Sequence, residues 1–263
     1  MAITFADTHA HLYAEQFNSD RHIIIQKAIN ADVRYLFLPN IDSTTTPLLH
    51  DLITDYSRQC FGMMGLHPCH VQPHTYLQEI EKVKKLLFEK PYPYVAVGEI
   101  GIDLYWDKTT FLLQKEVFIQ QLQWAKVLNL PVSVHCRESF NEVMECIEHV
   151  QDGSLRGIIH CFTGNIQEAQ RVINAGFMIG IGGVITFKKS QSLRDAVAQT
   201  PLENIVLETD SPYLAPEPYR GKRNEPSYIP IIAATVARIK NYTITEVALQ
   251  TTQNALRIFS VSC

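Results

Sequence analysis

Two histidines stand two apart near the start of the chain, in FADTHAHL at residues 5–12. Side chains two apart in an extended segment project to one face, so His9 and His11 would converge beside the carboxylate of Asp7. Alone the pair is a weak signal, because single neutral imidazoles satisfy many buried corners. Further residues of the same kind recur along the chain: His67 in GLHPCH, Glu99 in VGEIGID, His135 in VSVHCRES and His160 in GIIHCFTG. Glu208 and Asp210 follow in VLETDSPYL. The imidazoles of His9, His11, His135 and His160 with the carboxylates of Glu99 and Asp210 make a mixed donor set. Such a set suits zinc, manganese, iron or nickel, whereas hard cations prefer oxygen. That many donors exceed one tetrahedral site and point to two ions sharing a carboxylate. Two ions so placed can deprotonate a bridging water and stabilise charge on the group it attacks. Hydrolysis also needs a carboxylate to manage protons. Asp210 is given that role and Glu99 the bridge.

The elements that must position these residues alternate in kind. Strand-like runs fall at 3–7, 33–38, 60–65, 94–98, 131–135, 157–161, 177–181 and 204–209. Amphipathic stretches lie between them, near 19–31, 43–58, 76–89, 110–128, 138–149, 165–175 and 190–199, with two more near 227–240 and 244–259. Alternation of this kind implies parallel strands joined by helical crossovers. Short continuous apolar runs fit strands buried on both faces, and Met63 and Met64 read as core. Eight strands in 263 residues predict an α/β fold, a (β/α)8 barrel in one domain over residues 1–263. A doubly wound open sheet is the competing architecture. In a barrel every donor named above falls at a C-terminal strand end, the face where such barrels build active sites.

Composition narrows the setting. A hydrophobic fraction of 46% suits a well-buried core. No apolar run reaches the roughly 18 residues needed to span a membrane, and MAITFADTHAHL lacks the basic and apolar regions of a secretory signal. Cysteines 60, 69, 136, 146, 161 and 263 show no C-x-x-C spacing and read as reduced thiols, so a cytoplasmic location is expected. A net charge of −4 argues against a protein that coats nucleic acid electrostatically, while leaving room for one that grips a strand end locally.

Substrate contacts are expected beside the metals. Arg137, two residues after His135, could hold a phosphate bidentately, or instead cap its strand against Glu138. His67 could contact a phosphate or the leaving group, or be structural before Pro68. The segment PYRGKRNEPSYIP (218–230) brings Arg220, Lys222, Arg223 and Asn224 after the eighth strand, where a loop could grip a backbone; a solvated turn is the alternative. Tyr105 and Trp106 could stack a base or pack against a neighbouring loop. Asp103 could orient a ligand histidine or cap a turn, and Glu208 should face the barrel interior with Asp210.

DTHAHL, GLHP, GEIGID, VHCRES, IHCFTG and ETDSPYLAP, in that order from residue 7 to 216, resemble the TatD family of metal-dependent deoxyribonucleases, within the amidohydrolase superfamily of (β/α)8 barrels. The resemblance implies that His9, His11, Glu99 and Asp210 hold one ion, and that Glu99, His135 and His160 hold the other. It implies 3′→5′ exonuclease activity on DNA ends, supported by magnesium or manganese, with zinc also suited to the histidines. Some members are linked to removing D-amino acids from tRNA, so aminoacyl-tRNA deacylation, or hydrolysis of a small amide or ester, is the competing activity.

Overall fold

In a computed structural model, which describes residues 3–262, strands and helices alternate as expected. The strands are β1 (Phe5–Asp7), β2 (Val33–Pro39), β3 (Cys60–Met64), β4 (Ala96–Asp103), β5 (Val132–Arg137), β6 (Gly157–Ile159), β7 (Phe177–Ile181) and β8 (Ile205–Leu207). The helices are α1 (Arg21–Asn30), α2 (Thr46–Asp55), α3 (Tyr76–Glu89), α4 (Phe111–Leu128), α5 (Phe140–Val150), α6 (Ile166–Asn174), α7 (Gln191–Gln199), α8 (Ile229–Lys240) and α9 (Ile244–Phe259). All eight strands pair in sequence order, each parallel to the next. The open-sheet alternative is thereby replaced by a barrel. Its seam lies between β1 and β8: Thr8 N–H donates to Leu207 O at 3.0 Å, Asp210 N–H to His9 O at 2.9 Å and His11 N–H to Ser211 O at 2.8 Å. The residues that close the ring therefore include three expected metal donors.

Two apolar layers hold the barrel. One lies between strands and helices; the other fills the interior with side chains such as Phe37, Met63, Ile158 and Val206. Phe259 at the end of α9 stacks on Phe37 with ring centroids 4.2 Å apart. Met63 and Met64 are both fully buried, as expected. Helices α6 and α9 begin with capping boxes, Asn165 with Glu168 and Thr243 with Glu246, which satisfy the first unpaired amides. No described helix is long and apolar enough to cross a membrane. The five described cysteines are free, and Cys263 lies outside the described residues.

Strand ends differ from expectation in one consequential place. Strand β4 runs on to Asp103 and is buried throughout, and β5 runs on to Arg137. Glu99 thus sits within its strand rather than after it, and His135 lies two residues before the end of its own. Glycine permits the extension: Gly101 has φ of 148°, and a Cβ there would lie 2.0 Å from the carbonyl oxygen of His135. The register slips between Val97 and Ile100, which places Glu99 on the bulge. We predict that Gly101→Ala destabilises the chain by at least about 2 kcal/mol through strain and overpacking together. A thermal melt checks this, and an unchanged midpoint would contradict it.

Candidate metal centre

Glu99 lies at the middle of the site, with only 2% of its surface exposed. Its amide is fixed by donation to Asn40 O at 3.1 Å. Its two carboxylate oxygens face different histidines. Oε2 is 3.1 Å from His9 Nε2 and 3.6 Å from His11 Nε2. Oε1 is 2.8 Å from His160 Nε2, 2.9 Å from His135 Nδ1 and 3.4 Å from His67 Nε2. Asp210 Oδ1 stands 3.3 Å from His11 Nε2 and 4.0 Å from His9 Nε2. All six residues expected as ligands are brought together, at the C-terminal mouth of the barrel. They include the compact triads His9–His11–Glu99 and His9–His160–Asp210.

The hydrogen bonds behind the imidazoles decide which nitrogen each one offers. Tyr13 OH donates to Pro39 O at 2.6 Å, so it must accept from His11 Nδ1–H at 2.7 Å, leaving the Nε2 lone pair free. His135 Nε2–H donates to Asp103 Oδ2 at 2.8 Å, which leaves Nδ1 free. His9 Nδ1 pairs with Ser133 Oγ at 3.1 Å and presents Nε2 to the centre. Glu208 accepts from the Cys161 amide and stands 3.6 Å from His160 Nδ1, buried as expected behind that ring. His67 differs from the rest. Its Nδ1 accepts from Cys69 N–H at 3.1 Å, so the neutral ring carries its proton on Nε2 and points a donor at Glu99. Although His67, Glu99 and His135 form a third triad, His67 is set up to donate rather than to ligate.

Both acids, Glu99 and Asp210, are held ionised, and the imidazoles divide. Burial lowers His9 and His67, whereas, against burial, hydrogen bonds to Asp103 and Glu99 raise His135 and the charge of Glu99 raises His160 well above its ordinary value. Burial pushes the Glu99 carboxyl up, but His160, His67 and His9 outweigh it and hold the group well below the usual carboxylate range. Asp210 is held low in the same way, against its burial, by the neighbouring His11 and the charge of His160. Desolvation lowers His67 to about 4 and also lowers His9, with His160 adding to the latter. Asp210 is the more accessible acid, its side chain 14% exposed against 2% for Glu99. That difference fits the division between proton handling and bridging. Removing the Tyr13 hydroxyl, in Tyr13→Phe, should weaken zinc or manganese affinity about tenfold by freeing the His11 ring. Competition with a chelator measures it, and unchanged affinity would contradict the assigned tautomer.

The other expected contacts divide. Arg137 ends β5 at the rim, its guanidinium 3.8 Å above the Tyr105 ring and 5.5 Å from that of Trp106. It does not cap against Glu138, whose neighbour is Lys108 at 4.0 Å. Asp103 does both things open to it: one oxygen orients His135, the other accepts the amides of Tyr105 and Trp106 at 3.0 and 2.9 Å. Arg223 and Asn224 correct the sequence reading. Asp20 takes the Arg223 fork at 2.9 and 2.6 Å, and Gln16 O takes a further bond at 2.6 Å, so the side chain fastens its loop to the β1 side. Asn224 is fully buried; it donates to Thr209 O and Tyr213 O and accepts from Glu225 N–H, which uses its polar atoms internally. Arg220 lies over Phe187, with its guanidinium 4.4 Å from the ring, and Lys222 is 5.9 Å from Tyr219. Asp7 accepts the His9 amide at 3.3 Å and binds Thr209 through its hydroxyl at 2.5 Å and its amide at 2.9 Å. Burial pushes Asp7 up to about 8 against those bonds.

The positioning residues Ser133, Tyr13, Asn40 and Thr209 went unread in the sequence. Ser133 and Tyr13 each sit two places from a ligand histidine, and that period of two was a usable signal. Arg223 holds Asp20 below its ordinary value through their hydrogen bond. A depressed carboxylate stabilises the fold above its unfolded value and loses that contribution as pH falls through the folded one. We predict that Asp20→Asn costs no more than about 1 kcal/mol near neutral pH, because the pair is partly exposed. The gap to wild type should close on acidification below about 4. Denaturant melts across pH check this; a gap that widens in acid would contradict it.

The comparisons with known proteins place this architecture. A family model described as TatD related DNase matches residues 6–260. The metal-dependent hydrolase YabD of Bacillus subtilis is 35% identical over 256 residues, 97% of this chain and 99% of its own length. The metal-dependent hydrolase YcfH of Escherichia coli is 34% identical over 260 residues, 97% of this chain and 95% of its own length. Among solved structures, the TatD homologue YjjV of Escherichia coli superposes with a TM-score of 0.92 at 29% identity, covering 98% of each chain. With its barrel, its buried histidine–carboxylate cluster and these relatives, the chain belongs to the TatD family of metal-dependent hydrolases.

Proposed function

We propose that this chain is a two-metal phosphodiesterase that removes nucleotides from the 3′ end of single-stranded DNA. One observation carries the two-ion reading: Glu99 offers Oε2 to His9 and His11, and Oε1 to His135 and His160. His9, His11 and Asp210 would hold one ion, His135 and His160 the other, with Glu99 shared. The donor set fits such ions, since partners behind His9, His11 and His135 turn one nitrogen of each inward, His160 Nε2 faces the same Glu99 oxygen as His135, and both acids are held ionised. Bound there, divalent ions supply an activated water and offset charge on the attacked phosphate. Histidine-rich sites of this composition favour zinc or manganese over magnesium, which millimolar concentrations can still supply.

The chain's own groups complete the chemistry. Asp210, ionised and partly accessible, accepts the proton of the attacking water. A bond forms from that oxygen to phosphorus as the bond from phosphorus to the 3′ oxygen breaks. His67 Nε2–H is a neutral donor aimed into the centre, and it supports charge on the departing oxygen. Arg137 at the rim holds a phosphate oxygen pair. The name of the family model supports a DNA substrate, and deacylation or amide hydrolysis would use the same water and proton acceptor.

The test uses a 5′-labelled single-stranded oligonucleotide, metal-stripped protein and added magnesium, manganese or zinc. A ladder shortening one nucleotide at a time from the 3′ end is expected, with Glu99→Ala slower by about 10³-fold or more. Asp210→Asn should lose about 10²–10⁴-fold. Absence of cleavage with any metal, in protein shown to bind it, would contradict the nuclease reading and point to aminoacyl-tRNA esters.

A further inference from the structure

Beyond the metal donors, the mouth of the barrel carries an unusual group of exposed side chains on the β4–α4 connection and the end of β5. Tyr105 is 49% and Trp106 69% exposed, and their rings meet edge to face at 5.0 Å. Each keeps a large part of its surface open to solvent. Arg137 lies opposite Asp103 in the strand register, and its guanidinium covers one face of Tyr105 at 3.8 Å. Among the described residues no carboxylate lies within ion-pair distance of Arg137, so its fork keeps its outward N–H groups. Trp106 presents its indole to solvent beside that cation. Asp103 fixes this group to the centre: it accepts from the amides of Tyr105 and Trp106 on one oxygen and from His135 on the other.

Resting on the phosphodiesterase reading, we propose that Trp106, Tyr105 and Arg137 form a nucleotide subsite beside the metal centre. An unpaired base stacks on Trp106, and the phosphate attached to it takes the open edge of Arg137. Tyr105 is a positioning residue that holds the guanidinium plane by its ring face. The chemistry selects the occupant. A flat exposed indole accepts any base by its π-face, a free planar fork accepts phosphate oxygens in pairs, and the two lie side by side as the base and phosphate of one nucleotide do. Duplex DNA keeps its bases stacked inside, so the subsite selects single-stranded ends. Because Asp103 serves both the platform and His135, the base is held by the same carboxylate that orients a metal donor.

Tryptophan count makes the test direct. The chain has two tryptophans, and Trp124 is buried on α4. In zinc-loaded Trp124→Phe, emission comes from Trp106 alone. Titration with a phosphorothioate tetrathymidylate, which resists cleavage, should quench that emission saturably. The same backbone carrying abasic residues should quench little and bind about tenfold or more weakly. Arg137→Gln should weaken the tetrathymidylate by about tenfold. In turnover, Trp106→Ala should raise the KM for single-stranded oligonucleotide about tenfold, with a smaller effect on kcat. Cleavage that proceeds while Trp106 emission stays constant, or equal affinity for the abasic chain, would overturn the subsite. Quenching without cleavage under any metal would support the subsite and overturn the nuclease reading instead.

Discussion

A carboxylate 2% exposed inside a barrel would be expensive to keep ionised if nothing met it. Glu99 is met by five imidazoles within 3.6 Å, and the rest of the site follows from that constraint. Each imidazole must present a chosen nitrogen: four are held from behind by a serine, a tyrosine, an aspartate or a backbone amide, and the buried Glu208 stands 3.6 Å behind His160. Those partners in turn fix segments of five strands and their following loops. The centre is a convergence of the barrel rather than an attachment to it.

The seam between β1 and β8 shows the same economy. Hydrogen bonds that complete the ring run from Asp210 and His11 and to His9, three residues that also offer metal donors. Asp7 and Thr209 tie the same two segments below them. Asp210 adopts a left-handed backbone, with φ of 56°, to turn its carboxylate toward His11 while its amide closes the seam. Fold closure and donor placement are one set of contacts, so Asp210, the acid proposed to handle protons, is rigidly oriented although it is the more accessible of the pair.

Local periodicity made much of this legible. Helices α3 and α9 were readable to the residue at 76–89 and 244–259, and the spacing of His9 with His11 carried over into two rings 5.0 Å apart. The six donors were readable because each sits at or just past an apolar run. What was not readable depended on partners far along the chain. Arg223 looks available in sequence, but Asp20 claims it across 203 positions; Asn224 is consumed by the loop it stabilises. The length of β4 is not legible locally, because GEIG resembles the end of a strand, whereas Gly101 lets the strand press on against β5. Asn40, which fixes the Glu99 amide, carries no local signal at all.

The central claim is that Glu99 is shared between two ions. The most direct measurement is metal stoichiometry: metal-stripped protein titrated with zinc or manganese by calorimetry, with bound metal counted by elemental analysis, in wild type and Glu99→Ala. The account predicts two ions per wild-type chain and at most one weakly held ion in the variant. One ion in wild type, or two retained at full affinity without Glu99, would contradict it.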